Sequence, residues 1–233
     1  MTSLPFGSTL VHALVPAAGR GERFGGEEPK QFAPVAGRPL LAWTIERLLG
    51  AGVTSLTVAV PSELIDRARS LIEDPRLLFV AGADTRQGSV EVCMAASPAD
   101  PEELVLVHDG ARPAVAAADL GACVAAALQN DGAVLGRPVS DTLKLVASGE
   151  IQSTVDRSFL FRAETPQVFA REVLERALAE AAEARFVGTD EASLVERLPG
   201  VRLAAVTAES LNPKLTRPAD LTLVEALLRD TID

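Results

Sequence analysis

The residues of this sequence with the clearest chemical potential lie in a glycine-rich segment, 16–30. Small residues let backbone N–H groups approach an anion closely, and glycine permits the positive φ angles that an anion-binding nest needs. Arg20, Arg23 and Lys30 add three positive charges within eleven residues of a chain whose formal net charge is −10. The segment therefore predicts a local phosphate-binding site.

Two common phosphate-binding motifs do not match this segment. A P-loop requires a Gly-Lys pair followed by Ser or Thr, and the sequence contains no Gly-Lys pair. A dinucleotide-binding fingerprint requires a third glycine where Phe24 stands, and a helix that begins at once. The sequence therefore excludes a P-loop protein and argues against a dehydrogenase.

The elements that position this segment follow an alternating pattern. Short aliphatic runs alternate with longer amphipathic stretches, which is typical of a mostly parallel sheet covered by helices on both faces. Strands are predicted at 10–15, 56–60, 77–81, 104–108, 133–139 and 201–206. Helices are predicted at 40–49, 62–72, 86–96, 117–129, 170–182, 190–198 and 218–228. We expect one doubly wound, Rossmann-like α/β domain that spans residues 1–233.

A second chemical cluster follows the strand predicted at 104–108, where Asp109 and Arg112 occur. In an open parallel sheet, ligands bind beyond the carboxyl ends of the strands. The glycine-rich segment follows the strand at 10–15 and lies at that same edge. We therefore expect the two clusters to form one site.

One segment departs from the alternation and predicts a β-hairpin. Residues 142–146 and 151–155 flank a turn at 147–150. A two-stranded hairpin is marginally stable alone. We therefore expect an arm at about residues 140–160 that packs against a second copy of the chain.

Composition limits the remaining possibilities. No apolar run reaches the roughly 18 residues that a membrane span requires, and the first eight residues do not resemble a secretion signal. The net charge of −10 argues against nucleic acid or a membrane surface as a partner. Cys93 and Cys123 lie in apolar stretches typical of buried free thiols. We expect a cytoplasmic protein.

The order and spacing of several short motifs resemble the 2-C-methyl-D-erythritol 4-phosphate cytidylyltransferase family of the non-mevalonate isoprenoid pathway. The glycine-rich segment alone is shared by many sugar nucleotidyltransferases and specifies only that class. The resemblance covers roughly residues 10–228 and implies a fold of the nucleotide-diphospho-sugar transferase type. The motifs that carry it are Pro16 to Arg23, Pro29-Lys30-Gln31, His108 to Pro113, Asp141-Thr142, Thr165-Pro166-Gln167, Thr189 to Ala192, and Lys214 with Thr216.

The resemblance also implies roles for individual residues. Those implied to bind the nucleotide are Pro16, Ala17, Ala18, Gly19, Arg23, Lys30, Gly82, Asp84, Ser89 and Asp109, with Arg86 in the cytosine-recognising segment. Those implied to bind the second substrate are Asp109, Arg112, Thr142, Arg157, Thr165, Thr189 and Lys214. Arg23, Lys30, Arg157 and Lys214 are the implied catalytic residues. From the residues alone, Thr189 also fits a helix N-cap.

The implied reaction transfers CMP from CTP to 2-C-methyl-D-erythritol 4-phosphate. A phosphate monoester is largely dianionic at pH 7, so the substrate supplies its own nucleophile and no enzymic base is needed. Mg²⁺ is the implied cofactor, bound mostly through the CTP phosphates with indirect help from Asp109. By the family's architecture the arm exchanges between two subunits, which predicts a homodimer.

Two alternatives remain open from the sequence. A ribitol-5-phosphate cytidylyltransferase shares many of the same motifs, although the region of Arg157, Thr165 and Lys214 favours methylerythritol phosphate. A catalytically silent nucleotide-binding subunit would be expected to lack Arg23, Lys30 or Asp109, and the sequence retains all three.

Overall fold

The computed structural model describes residues 5–19, 24, 29–98 and 103–229, so the predicted roles of Arg20 and Arg23 lie outside the described residues. The strands are β1 Val11–Pro16, β2 Pro34–Val35, β3 Arg38–Pro39, β4 Ser55–Val60, β5 Leu77–Ala81, β6 Leu104–Val107, β7 Gly132–Pro138, β8 Leu143–Ala147, β9 Glu150–Val155, β10 Phe161–Ala170 and β11 Leu203–Thr207. The helices are α1 Leu40–Ala51, α2 Ile65–Arg69, α3 Arg86–Ala96, α4 Ala117–Ala127, α5 Arg171–Ala184, α6 Glu191–Val195 and α7 Leu221–Arg229.

The main sheet has seven strands in the order β11-β7-β10-β6-β1-β4-β5. All its pairings are parallel except those of β10, which runs antiparallel to both β6 and β7. The predicted mostly parallel, doubly wound α/β fold is confirmed. The order places β1 beside β4 and β6, so that the loops after β1, β5 and β6 meet at one edge.

Strand β10 was not predicted from the sequence. Arg162 and Glu164 interrupt its apolar pattern, and Pro166 argues against a central strand because proline cannot donate to the ladder. The structure accommodates Pro166 at a register shift between Ala163 and Gln167, where the pairing with β7 is interrupted.

Two hydrophobic cores cover the two faces of the sheet. On one face Ala13 and Val15 of β1 pack with Leu41 of α1 and Leu120 of α4. On the other face lies the intervening residue Leu14, together with α3, α5 and α6. This alternation of neighbouring side chains is the pattern of a strand buried on both faces.

Cys93 and Cys123 are buried free thiols, as expected. Burial raises the pKa of each to about 12, so neither supplies a thiolate at neutral pH.

Several predicted boundaries were wrong. The helix predicted at 62–72 is a 3₁₀ turn, Ser62–Leu64, followed by the short α2. The helix predicted at 190–198 is reduced to α6. Its N-cap is Asp190 rather than Thr189, because the Asp190 carboxylate accepts from the Ser193 N–H and the Ser193 hydroxyl completes a capping box.

The predicted hairpin is present as β8 and β9, paired antiparallel in a sheet of their own. Its turn is shorter than predicted: Ser148 and Gly149 both have positive φ, 52° and 83°. Two consecutive left-handed residues are typical of a type I′ turn, whose twist matches a hairpin. Large apolar side chains on the arm are exposed, among them Leu145, Val146 and Ile151.

Candidate nucleotide-binding site

A cavity of about 280 Å³ lies at the carboxyl ends of β1, β5 and β6. It is lined by Pro16, Ala17, Ala18, Gly19, Lys30, Gln31, Leu40, Ala83, Asp84, Thr85, Arg86, Ser89, Asp109, Gly110, Ala111 and Lys214. The glycine-rich segment and the segment after β6 therefore meet, as the sequence predicts. Lys214 reaches the same cavity from the loop after β11.

The loop after β1 is held from both sides. The Ala17 N–H donates to the Ala59 carbonyl at 2.8 Å and continues the parallel ladder. A side chain at Gly82 would place its Cβ 2.3 Å from the Ala18 Cβ, so only glycine lets the end of β5 approach this loop.

Gln31 also holds the loop, and its role was missed from the sequence, where it appeared only as part of a tripeptide. This buried side chain donates through Nε2 to the Ala17 carbonyl at 2.8 Å, with the Gly19 carbonyl at 3.5 Å. Gln31 lies in a three-residue 3₁₀ turn, which is too short to give a periodic pattern from which its burial could be predicted. Its contacts fix the carbonyl groups of a loop whose N–H groups are the predicted phosphate ligands.

Asp109 is the centre of charge in the cavity. Arg86 Nε donates to Oδ1 at 3.1 Å, Lys214 Nζ lies 2.8 Å from Oδ2, and Arg112 Nε lies 3.6 Å from Oδ2. Burial by itself would raise the pKa of Asp109, but these three cations outweigh it and hold the pKa well below its usual range. Asp109 is therefore a carboxylate at any physiological pH.

Thr165 and Arg112 lie behind Asp109 rather than on the cavity wall. The Thr165 hydroxyl accepts from the Asp109 N–H at 3.0 Å. Arg112 donates to the Asn212 carbonyl at 2.6 Å and lies 3.7 Å from Glu164. Both residues hold Asp109 and its surroundings in place.

Lys30 and Lys214 approach the cavity together. Lys30 Nζ donates to the Leu215 carbonyl at 2.8 Å, and Leu215 is the residue after Lys214. Lys30, which is predicted to be catalytic, therefore hydrogen-bonds to the backbone of the residue that follows Lys214, the other lysine predicted to be catalytic.

The predicted cytosine-recognising residues lie where β5 leads into α3. Gly82 and Asp84 are in the connecting turn, and Ser89 is in the first turn of α3. Asp84 and Ser89 line the cavity. The Ser89 hydroxyl accepts from the Ala83 N–H at 3.1 Å and donates to the Thr85 carbonyl at 3.0 Å, so it orders this turn.

Besides Gly82, Arg112 and Thr165, three further predicted site residues among those the structure describes do not line the cavity of one chain. Thr142, Arg157 and Thr189 are exposed. Arg157 donates to the Ser140 carbonyl at the base of the arm. Any contribution from Thr142 or Arg157 to a cavity therefore depends on where the arm lies in an assembly.

The cavity is suited to charge stabilisation rather than proton abstraction. His108 is fully buried beside it, and burial lowers its pKa to about 4 although its hydrogen bond to the Arg112 carbonyl opposes the shift. Because His108 does not reach the cavity wall, it cannot accept a proton from a ligand. Lysine, arginine and backbone N–H groups are instead available to hold a polyanion.

The doubly wound sheet, the glycine-rich loop after β1 and the cationic cavity around Asp109 together define a nucleotidyltransferase-type domain. The chain belongs to the 2-C-methyl-D-erythritol 4-phosphate cytidylyltransferase family (IspD), whose sequence profile matches residues 11–230.

Individual relatives agree with this assignment. The chain is 41% identical over 224 residues to the family's protein from Syntrophotalea carbinolica, covering 94% of this chain and 96% of that protein. It is 42% identical over 232 residues to the protein from Aeromonas hydrophila, covering 98% and 93%. The crystal structure of the Thermus thermophilus cytidylyltransferase is similar, with a TM-score of 0.79 and 35% identity over 95% of this chain and 100% of that one.

Two features are absent from the described residues. No group of three or more His, Cys, Asp and Glu side chains among them could hold a metal ion. No helix in this part of the chain is long and apolar enough to cross a membrane.

Proposed function

We propose that this cavity transfers CMP from CTP to 2-C-methyl-D-erythritol 4-phosphate and releases pyrophosphate. The observation that carries the proposal is the position of Asp109, ionised and surrounded by Arg86, Arg112 and Lys214, opposite a glycine-rich loop. Membership of the cytidylyltransferase family supports the choice of both substrates.

The nucleotide occupies the cavity. Residues 16–19 and Lys30 hold the triphosphate of CTP, together with Arg23 from the same loop. Asp84 and Ser89, in the turn that Gly82 begins, form the wall that meets cytosine, and Asp109 lies towards the ribose. The small residues of the loop allow backbone N–H groups to contact phosphate oxygens directly.

The acceptor's phosphate dianion attacks the α-phosphorus of CTP. A phosphorus–oxygen bond forms to the acceptor as the bond to the β-phosphate oxygen breaks, and pyrophosphate leaves with the bonding electrons. Lys30, Arg23 and Lys214 stabilise the negative charge that develops, and the protein's main task is to bring two anions together. Thr165 and Arg112 support this arrangement by holding Asp109.

Mg²⁺ is the metal that fits the residues present. It prefers one or two carboxylates together with substrate phosphates, and Asp109 and Asp84 both line the cavity. Asp109 is ionised and supplies negative charge beside the position of the metal. When bound, Mg²⁺ would neutralise charge on the triphosphate; it would be held mostly by the CTP phosphates, with indirect help from Asp109.

The arm makes the protein a homodimer in the cytoplasm. Leu145, Val146 and Ile151 expose apolar surface that a second copy would cover. Thr142 and Arg157, at the base of the arm, then reach the acceptor site of the partner subunit, and Thr189 belongs to the same group of proposed acceptor-binding residues. The chain's net charge of −10 disfavours nucleic acid and anionic membranes as partners.

Pyrophosphate release tests the proposal. The purified protein is assayed with Mg²⁺ and CTP in the presence of methylerythritol 4-phosphate, ribitol 5-phosphate, or no acceptor. Release with methylerythritol phosphate alone is expected. Release with ribitol phosphate alone would replace the acceptor but keep the reaction class, and no release with either would contradict the proposed transfer.

A further inference from the structure

Glu191 is a buried carboxylate that has no part in the proposed CMP transfer described so far for this cavity. It is the first residue of α6, its side chain is 1% exposed, and it does not line the cavity. Arg86 Nη1 donates to its Oε1 at 2.6 Å. The same guanidinium donates through Nε to Asp109. One arginine therefore bridges a carboxylate at the site and a carboxylate behind it.

We infer that Glu191 is a positioning residue for CMP transfer, which fixes Arg86 so that Arg86 in turn fixes Asp109. The inference rests on the proposed function of the cavity. An arginine has five N–H donors in one plane, so a partner at Nη1 determines which edge it presents elsewhere. Glu191, which does not line the cavity, occupies Nη1 of Arg86, and the Nε edge is left for Asp109.

The three residues come from separate parts of the fold. Arg86 begins α3, Asp109 follows β6, and Glu191 begins α6. Gln167 of β10 holds α6 in place, because its Oε1 accepts from the Ala192 N–H at 3.0 Å and its Nε2 donates to Asp190 Oδ2 at 2.7 Å. The position of α6 is therefore transmitted to Asp109 through Glu191 and Arg86.

The positive charge of Arg86 also affects the pKa of the Glu191 carboxyl group. Burial raises the pKa of Glu191, and the positive charge of Arg86 opposes that shift. Removal of Arg86 would remove the guanidinium through which Glu191 acts on Asp109. The loss of Glu191 should consequently have little effect in a protein that already lacks Arg86.

A double-mutant cycle tests this dependence. The variants are E191Q, R86Q and R86Q/E191Q, with kcat and KM for CTP measured at saturating methylerythritol 4-phosphate. E191Q is expected to lower kcat about tenfold while KM for CTP rises by no more than about threefold, since Arg86 keeps its charge and loses only its orientation. R86Q and R86Q/E191Q are expected to have the same kcat within about twofold. Independent effects that multiply in the double variant would overturn the inference.

A matched control separates positioning from stability. E103Q changes an equally buried glutamate, 5% exposed, which pairs with His12 at the opposite edge of the sheet. E103Q is expected to keep the wild-type kcat even if its melting temperature falls as much as that of E191Q. A wild-type kcat in E191Q, or an equal loss in E103Q, would contradict the role given to Glu191.

Two further measurements keep the test decisive. If E191Q does not fold, E191D replaces it: its shorter side chain lengthens the contact with Arg86, so kcat should fall, and an unchanged kcat would overturn the inference. If the wild-type protein binds CTP but releases no pyrophosphate, the proposed function fails and the cycle is measured on the dissociation constant for CTP with Mg²⁺. Non-additive effects of R86Q and E191Q on that constant would still support the positioning role, and additive effects would contradict it.

Discussion

Lys214 Nζ lies 2.8 Å from Asp109 Oδ2, and Lys214 is the most exposed of the three cations around this carboxylate, with 36% of its side chain accessible. The other two cations each contact a second, buried carboxylate: Arg86 contacts Glu191 and Arg112 approaches Glu164. The arginines are therefore fixed parts of the cavity. Lys214 is the cation best placed to turn from Asp109 towards an incoming phosphate.

Replacing Lys214 by Gln should lower kcat/KM for the acceptor roughly 10- to 100-fold, the range for loss of a hydrogen bond to a charged group. The fold should persist, because Arg86 and Arg112 still neutralise Asp109. Steady-state kinetics with varied acceptor gives the measurement. R69Q, which removes an exposed cation from α2, serves as the control and should behave as wild type. Equal kinetics for K214Q and R69Q would exclude Lys214 from the reaction.

Gln31 should matter for nucleotide binding although it carries no charge. Q31M removes the hydrogen bond to the Ala17 carbonyl while preserving much of the side-chain volume. Loss of such a bond, with a buried carbonyl left unpaired, predicts a KM for CTP raised roughly tenfold. Q129M changes an exposed glutamine after α4 and should leave that KM unchanged. An unaltered KM in Q31M would mean that the loop keeps its shape without this contact.

The proposed exchange of the arm makes a complementation test possible. Subunits carrying K30A and subunits carrying R157A are each expected to form inactive homodimers. If every site takes Lys30 from one chain and Arg157 from the other, random mixing leaves one intact site in each heterodimer, or about a quarter of the wild-type activity.

The control for this experiment is an equal mixture in which both chains carry K30A. Activity is measured after co-expression, so that arms can exchange during assembly. No recovery in the K30A and R157A mixture would place both residues in the same subunit's site, or exclude one of them from catalysis.

The sequence predicted the fold class and the common edge of the site because both follow from local patterns. Buried parallel strands produce aliphatic runs, and a glycine-rich loop directly after the first strand is typical of a phosphate-binding site. Strand β10 was missed because Arg162 and Glu164, which pair with each other, interrupt the apolar run that marks a buried strand. Gln31 and Glu191 were missed as positioning residues because neither contact follows from a local sequence pattern. Gln31 bonds to a backbone carbonyl, that of Ala17, and Glu191 pairs with Arg86, which is far away in the sequence.

His108 should make the protein less stable in mild acid. Burial lowers its pKa to about 4, below the value of about 6.5 in the unfolded chain. Between pH 4 and pH 6.5, His108 is therefore protonated in the unfolded state but not in the folded state. This contribution to stability is complete above pH 6.5 and is lost as pH falls towards 4. Between pH 7 and pH 5 the loss is about 2 kcal/mol of unfolding free energy.

Urea unfolding of wild type and H108Q at these two pH values measures that contribution. Glutamine retains an N–H group that can donate to the Arg112 carbonyl but does not titrate. The decrease in unfolding free energy between pH 7 and pH 5 should therefore be smaller in H108Q. An identical decrease in both proteins would show that His108 is not the titrating group.

The central claim is that the cavity around Lys30 and Asp109 carries out CMP transfer. Its most direct test is single-turnover CMP transfer by K30A, with saturating CTP, Mg²⁺ and methylerythritol 4-phosphate, and R69A as a control. Loss of one preorganised cation at the transferring phosphate predicts a rate lower by roughly 10²- to 10³-fold, with R69A unchanged. A K30A rate close to that of wild type would contradict the account and place the chemistry elsewhere.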